Sequence, residues 1–513
     1  MAFLLVCSCA EFTWLVLRVY LFPPYAWDAL AYHLTTVAAW IQAARITTTP
    51  FVIWTNVYPH NAELLYTWLI LFLGRDTLVE LGQLIFATGG LIAVAGLARS
   101  GVGLSRPHAL AAGCLFFLTP VVQVQANTNY IDVALASMFL ISFYFHLRFC
   151  QAFLQGQQNY LSYVLLAGLS GGITLGIKSV GISYIGVSSL LVLVPLLLTI
   201  YRQRITMGRA TACAVLYTLL IMPLGAFWYI RTWMIYGSPL HPFVVSLFGY
   251  QIFSGTQTLQ SLVLEQTPTV LQGLSGWQQV IRSWFHEPAF YVYDQQLGGF
   301  GLQWPWLMLP ALLVLSGFTI RKRPAIFMRL ILPFIVIFLI QPANWWSRYT
   351  LFIVALGAIA LVHLIEHVSY RRGRWILQAL TATAVVISLA FCLRHAGLGT
   401  VVRALRLPAS ERTVGRLYYP HFAWIDDIPD QSRIVFDPGQ ESLVYPLFGY
   451  RLQQQVVVLQ NLRQPTFFEQ LHQEHIDYVF TRESTAYDTW AHQSNAHLRL
   501  FFTSGKYHVY HVQ

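Results

Sequence analysis

Long apolar runs recur along the chain, separated by short polar gaps, and they dictate its architecture. A helix that crosses a membrane needs about 20 apolar residues. Runs of that kind cover 2–22, 78–98, 108–126, 133–150, 160–177, 180–200, 210–230, 302–320, 325–341, 349–367 and 375–393. The pattern predicts a mainly α, polytopic membrane protein with about eleven transmembrane helices. The run 61–73 is apolar but reaches only roughly 20 Å as a helix, and is expected to lie flat at the membrane face. Residues 23–77 then form a first outer loop with juxtamembrane helices. Residues 232–301 form a long outer loop, rich in Gln, Gly, Ser and aromatics, whose opening IRTWMIYGSPLHPF holds a Gly-Ser-Pro turn. Beyond residue 393 the periodicity changes. RIVFD, QQVVVL, DYVF, LRLFF and YHVYHV read as strands, with SLVYPLF, TFFEQLHQEH and TAYDTWAHQ as helices between them. A small soluble α/β domain over 394–513 is expected after a transmembrane module over 1–393. No internal repeat or low-complexity tract is visible.

Composition sharpens this picture. The chain has 513 residues, 56% hydrophobic and 10% charged, with mean hydropathy +0.55, against about 25% charged in globular domains. In a soluble protein the formal net charge of +10 would suggest nucleic acid. Here the basic residues fall in gaps between apolar runs, so topology accounts for them and no nucleic-acid partner is expected. One set of alternate gaps holds Arg99, Arg106, Arg148, Arg202, Arg204, Arg209, Arg321, Lys322, Arg323, Arg329, Arg371, Arg372 and Arg374. The other holds Arg45, Arg75, Lys178, Arg231, Arg282 and Arg348, and is sparser for its length. The positive-inside rule places the first set in the cytoplasm. Asp28, Asp132 and everything after about residue 394 then face the other side of a cell inner (plasma) membrane. The first run lacks a basic n-region and a small-x-small cleavage site, and is read as a retained span. The six cysteines lie in or beside apolar runs without metal-knuckle or disulfide spacing, and are read as packing residues.

Charge at a membrane edge is where chemistry is sought, because an acid there is costly unless used or paired. Asp28, in PPYAWDALAYHL, reads either as a solvated or helix-capping acid or as a catalytic one. Asp132, in NTNYIDVALA, has the same two readings. Two acids on separate loops of one face can divide general-base and orienting roles, or hold a divalent metal ion such as Mg, Mn or Zn. Lys178, in LGIKSVGISYIG, and Arg348, in NWWSRYTL, either snorkel to the interface or neutralise an anionic phosphate. His33 and His60 read as packing residues or as substrate contacts, and Glu63 shares a helix face with His60. Trp345 and Trp346 suit an aromatic belt or a sugar platform. The chain has no Walker A motif, dinucleotide glycine fingerprint or GxSxG, so a nucleotide-consuming pump is not expected.

The order of these segments resembles the GT-C glycosyltransferases, which include protein O-mannosyltransferases and the lipid A aminoarabinose transferase. WDALAYHL, AAWIQ and YPHNAELLYTWL resemble their first loop, NTNYIDVALA their second acidic loop, and GLSGGITLGIKSVG their glycine-lysine segment. IRTWMIYGSPLHPF resembles the start of their long outer loop, and NWWSRYTLFIVAL their Arg-Tyr segment. The resemblance covers most of residues 1–367. It implies inverting transfer of a sugar from a polyprenyl-phosphate donor, on the non-cytoplasmic face, to a lipid, glycan or protein acceptor. Carried across, Asp28 and Asp132 match the catalytic acids, while Lys178 and Arg348 match positions near the lipid phosphate. Tyr32, His33, Tyr58, His60, Glu63, Asn129, Arg231 and Tyr349 lie within the matched segments as candidate substrate-binding residues. Ala29 follows Asp28 where several relatives carry a second acid, and Tyr58-Pro59-His60 stands where the family has Lys-Pro-Pro. Rival readings are a polytopic transporter, a scaffold of a cell-envelope machine, and an O-antigen polymerase or ligase.

Overall fold

The computed structural model describes residues 2–202, 206–396, 398–439, 441–459, 466–493 and 497–513; Arg204 lies outside them. Among the described residues, seven helices are long and apolar enough to cross a membrane: Ala2–Leu21, Leu81–Val102, Asp132–Leu154, Gly181–Tyr201, Met207–Tyr236, Trp304–Lys322 and Arg371–Arg394. The chain is a multi-pass membrane protein. The expected runs 160–177, 325–341 and 349–367 are shorter apolar helices, Tyr160–Leu175, Pro324–Ile340 and Leu351–His367. The expected run 108–126 is not one helix. Arg106–Phe117 stops, Thr119 is extended, and Pro120–Gln125 starts afresh, because the residue before a proline is pushed out of the α region.

The first loop is built from short pieces. One π-turn, Ala29–His33, leads into Leu34–Ala43, and a single turn, Trp54–Val57, precedes the 13-residue helix Asn61–Leu73. That last helix ends at Gly74, in the left-handed conformation (φ 67), whose N–H returns to the Ile70 carbonyl. Arg231 fastens the loop from the side: its guanidinium donates to the Asn56 carbonyl at 2.8 Å and the Thr47 carbonyl at 3.1 Å.

The long loop after Tyr236 carries a hairpin, β1 (Val245–Leu247) and β2 (Tyr250–Phe253), and two helices, Leu259–Gln266 and Gly276–Trp284. Its end is laced to the helical bundle. Val121 N–H donates to the Gly299 carbonyl at 2.9 Å, the Gln125 amide to the Tyr293 carbonyl at 3.0 Å, and Trp346 Nε1 to the Gln295 carbonyl at 2.9 Å. Gly299 has φ 106, and any side chain there would collide with Ser347.

The C-terminal segment contains the five expected strands: β3 (Arg433–Phe436), β4 (Gln455–Val457), β5 (Tyr478–Arg482), β6 (Leu498–Ser504) and β7 (Tyr507–Val512). They form one sheet in the order β4-β3-β5-β7-β6, parallel from β4 to β5 and antiparallel beyond. Helices Phe467–Gln473 and Ala486–Gln493 appear where expected. SLVYPLF is instead a single 3-10 turn, Tyr445–Phe448, closed by Gly449 at φ 74. Helix Arg371–Ala396 runs past residue 393, and Val401 and Ala404 of the next helix pack on Leu21 and Phe22.

This segment docks on the first loop. The Gln42 amide donates to the Gln454 carbonyl at 2.5 Å and the Leu452 carbonyl at 3.3 Å. The Tyr445 hydroxyl donates to Asp76 Oδ2 at 3.3 Å, and Asp76 N–H to the Tyr450 carbonyl at 2.9 Å. Phe51 inserts between Phe436 and Phe448. One hydrophobic core consequently includes Leu30 and Tyr66 of the first loop, Phe139 and Phe352 of the bundle, and Phe448.

Candidate active site

Four stretches far apart in sequence converge on one guanidinium. Arg348 sits in a 3-10 turn, Ser347–Tyr349, with its side chain 7% exposed. Its Nη1 lies 3.1 Å from Asp28 Oδ2 and 3.1 Å from Asp294 Oδ1, and its Nε 3.7 Å from Asp132 Oδ2. The last contact is an ion pair too long for a hydrogen bond. Lys178 Nζ donates to Asp132 Oδ1 at 2.6 Å. Three carboxylates thus face two cations, a formal charge of −1 when all are ionised. Burial works against the charge on Arg348, but Tyr349, Asp28, Asp132 and Asp294 more than offset it and hold the group above its ordinary value.

The aromatic residues of these segments form the walls. Arg348 lies over the rings of Trp346 at 4.3 Å, Tyr349 at 4.9 Å and Tyr130 at 5.2 Å, and Lys178 over Tyr349 at 4.4 Å. Such contacts are worth about 0.5–2 kcal/mol each when desolvated. Tyr130 also accepts a hydrogen bond from Asp28 N–H at 3.3 Å. Trp345 and Trp346 stack on each other and pack against Leu271 and Val280 of the long loop, which fixes the turn that carries Arg348.

Asp28 stands at the N-cap of Ala29–His33 without a capping hydrogen bond from its side chain, and Asp132 opens helix Asp132–Leu154 with its carboxylate on Lys178. They differ in what they leave available. Asp132, 4% exposed, has one oxygen on Lys178 and the other on Arg348. Asp28 gives Oδ2 to Arg348, while its Oδ1 makes no hydrogen bond among the described residues. Its side chain is 15% exposed. A divalent ion shared by Asp28 and Asp132 would compete with the guanidinium already between them, so these residues do not fit a metal pair. Among the described residues, a group that could hold a metal ion lies elsewhere, at Asp488, His492 and His508.

Asp294 is the residue that sequence reading missed. It is one of three acids in the long loop, with Glu265 and Glu287, and the run YVYDQQLGG gives it no membrane-edge signature. Its side chain is 43% exposed, with Oδ1 buried against Arg348. Burial pushes its carboxyl up to about 6, against the pull of Arg348 and with the repulsion of Asp28.

Around this centre, Tyr32 and Tyr58 meet edge to face, and Tyr58 stacks on Trp54. Burial raises both hydroxyls, with Asp28 adding to each shift. His33 and His60 form a separate buried group: their Nδ1 atoms lie 2.6 and 3.1 Å from the same oxygen, Glu63 Oε1. His60 packs edge-on against Trp40 and Trp228. Asn129 donates to the Val79 carbonyl at 3.2 Å, and Arg231 to the first-loop carbonyls. Of the residues expected to bind substrate, Lys178 and Arg348 join the acids directly, Tyr349 lies against both cations, Tyr32 and Tyr58 flank the acids, and Asn129 and Arg231 fasten backbone.

The structure is similar to ArnT from Cupriavidus metallidurans in its apo state, with TM-score 0.56 and 13% identity, covering 99% of this chain and 97% of that one. It matches the same ArnT bound to undecaprenyl phosphate equally well, at 14% identity and TM-score 0.56. The arabinofuranosyltransferase AftD from Mycobacteria gives TM-score 0.50 and 12% identity, covering 100% of this chain and 40% of AftD. At such identities the likeness is one of fold. No protein-family model matches the chain, and no curated protein matches it by sequence.

Proposed function

We propose that this chain is a membrane glycosyltransferase that moves a sugar from a polyprenyl-phosphate-linked donor to an acceptor at the non-cytoplasmic face of the cell inner membrane. The observation that carries the reading is Arg348 held among Asp28, Asp132 and Asp294, with Lys178 alongside. The GT-C fold, and an ArnT structure bound to undecaprenyl phosphate, support the donor class.

Each side chain then has a role. Asp132 anchors Lys178 and Arg348, so both cations point at one place. Arg348 fixes Oδ2 of Asp28 and leaves Oδ1 to take the proton of the attacking hydroxyl or amide. The donor phosphate approaches the cations on the exposed side and displaces Asp294 from Arg348. The new bond forms between the acceptor atom and the anomeric carbon as the carbon–oxygen bond to phosphate breaks. Lys178 and Arg348 neutralise the charge that develops on the departing lipid phosphate. Tyr32, Tyr58 and the Trp345–Trp346 stack offer aromatic surface to the sugar.

The test is lipid mass spectrometry on the purified chain, followed by reconstitution with polyprenyl-phosphate sugars. A co-purifying polyprenyl phosphate and sugar release dependent on Asp28 are expected. Neither lipid nor transfer across a panel of sugars would overturn the reading.

A further inference from the structure

Away from the membrane bundle, the C-terminal sheet carries a second cluster of chemically active side chains. Asp488 and His492 are four residues apart on helix Ala486–Gln493, hence on one helix face. His508 and Tyr510 are two apart on β7, hence on one face of the sheet. The two faces meet. His508 Nδ1 lies 2.7 Å from Asp488 Oδ1, the Tyr510 hydroxyl donates to the same oxygen at 2.9 Å, and His492 Nδ1 lies 3.6 Å from it. The Tyr510 hydroxyl is also 2.9 Å from His492 Nδ1. One nitrogen from each histidine and one Asp488 oxygen all lie within 4.8 Å of one another.

We propose that Asp488, His492 and His508 form a binding site for a divalent transition-metal ion of the zinc class, independent of the sugar-transfer centre. Two imidazoles and one carboxylate are a borderline-soft donor set, which favours zinc over magnesium or calcium. The carboxylate is prepared for the role. Ser484 N–H holds Oδ2 at 3.1 Å, so Oδ1 is the oxygen turned toward both imidazoles. Asp488 is 4% exposed, whereas the His492 side chain is 56% exposed, so the cluster opens to solvent at the histidine. An ion there takes the place of the hydrogen bonds now made to Asp488 Oδ1, and each histidine ligates as the neutral ring, its remaining proton on the other nitrogen. Three protein ligands leave a further coordination position to water or to a solution ligand.

The experiment uses the detergent-solubilised full-length chain, stripped with chelator, desalted and titrated with zinc chloride, with bound metal counted by elemental analysis. One equivalent of zinc is expected, undisturbed by excess magnesium. His492→Ala, at an exposed position, should leave thermal unfolding of the metal-free protein unchanged and weaken zinc binding by about tenfold or more. Asp488→Asn should weaken zinc binding at least as much. Cobalt loaded in place of zinc should give visible bands that vanish in His492→Ala. Less than half an equivalent in the unaltered chain, or unchanged affinity in His492→Ala, would overturn the site. Neither result bears on sugar transfer, because Asp28, Asp132 and Arg348 are untouched.

Discussion

Asp28 and Arg348 are 320 residues apart in the chain and 3.1 Å apart in the structure. Arg348 also serves Asp132 and Asp294, so its loss leaves three carboxylates without their common partner. Breaking a buried pair of this kind costs about 3–5 kcal/mol. Arg348→Ala is expected to lower thermal stability in detergent and abolish sugar transfer together. Arg348→Lys should not restore either, since one ammonium cannot present a fork to three acids. An unchanged unfolding temperature in Arg348→Ala would contradict this geometry.

Asp28→Asn keeps the shape of the side chain and removes its capacity to take a proton. Turnover is expected to fall by about 10²–10⁴-fold, with expression and unfolding close to those of the unaltered chain. Asp132→Asn should instead affect donor affinity as well as turnover, because Asp132 positions Lys178 and Arg348. Kinetics that separate kcat from KM distinguish the two acids.

Asp294 provides a pH signature. Its carboxyl, pushed by burial up to about 6, takes up a proton as pH falls through that value and loosens its hold on Arg348. The proposed donor is a phosphodiester, whose charge does not change in this range. KM for the donor should therefore fall between pH 7 and the high fives, and Asp294→Asn should show the low value throughout. A pH-independent KM in the unaltered chain would remove Asp294 from donor binding.

The docking of the C-terminal segment has its own pH dependence. Burial raises the Asp76 carboxyl from 3.8 to about 7, while the Tyr445 hydroxyl pulls the other way. Between about 4 and 7 the folded chain holds a proton that the unfolded chain has lost. Stability from this site is therefore full below about 4 and declines as pH rises to about 7. Glu441, raised by burial to about 7, contributes in the same direction. Asp76→Asn keeps an acceptor for Tyr445 and should flatten part of the slope in unfolding temperature against pH. An identical slope in that variant would show that Asp76 does not titrate in this range.

Arg231 serves as a control for position without chemistry. Its hydrogen bonds to the Thr47 and Asn56 carbonyls are charge-assisted and worth about 1.5–3 kcal/mol. Arg231→Ala should loosen the first loop, seen as faster proteolysis near residues 45–56, and weaken substrate binding more than it slows the chemical step. A selective loss of kcat with no change in loop protection would give Arg231 a direct role.

Hydrophobic periodicity made seven membrane-length helices and all five C-terminal strands legible, because burial in lipid or in a sheet leaves a regular imprint on sequence, whereas the helices of the long loop, Leu259–Gln266 and Gly276–Trp284, were not legible. Asp28, Asp132, Lys178 and Arg348 were visible as charges at the ends of apolar runs. Asp294 was not, since it sits in a polar loop where an acid attracts no notice, and only the lacing of Gly299, Tyr293 and Gln295 to the bundle carries it to Arg348. Three of the expected spans are short helices, and the run 108–126 breaks ahead of Pro120. Apolar content registers there and helix length does not.

The spacing of Asp28 and Arg348 along the chain also governs the order in which the protein can be made. Synthesis delivers Asp28 directly after the first span, and its guanidinium partner only when most of the bundle has been inserted. The nascent chain therefore carries an uncompensated acid at the membrane edge through most of its biogenesis.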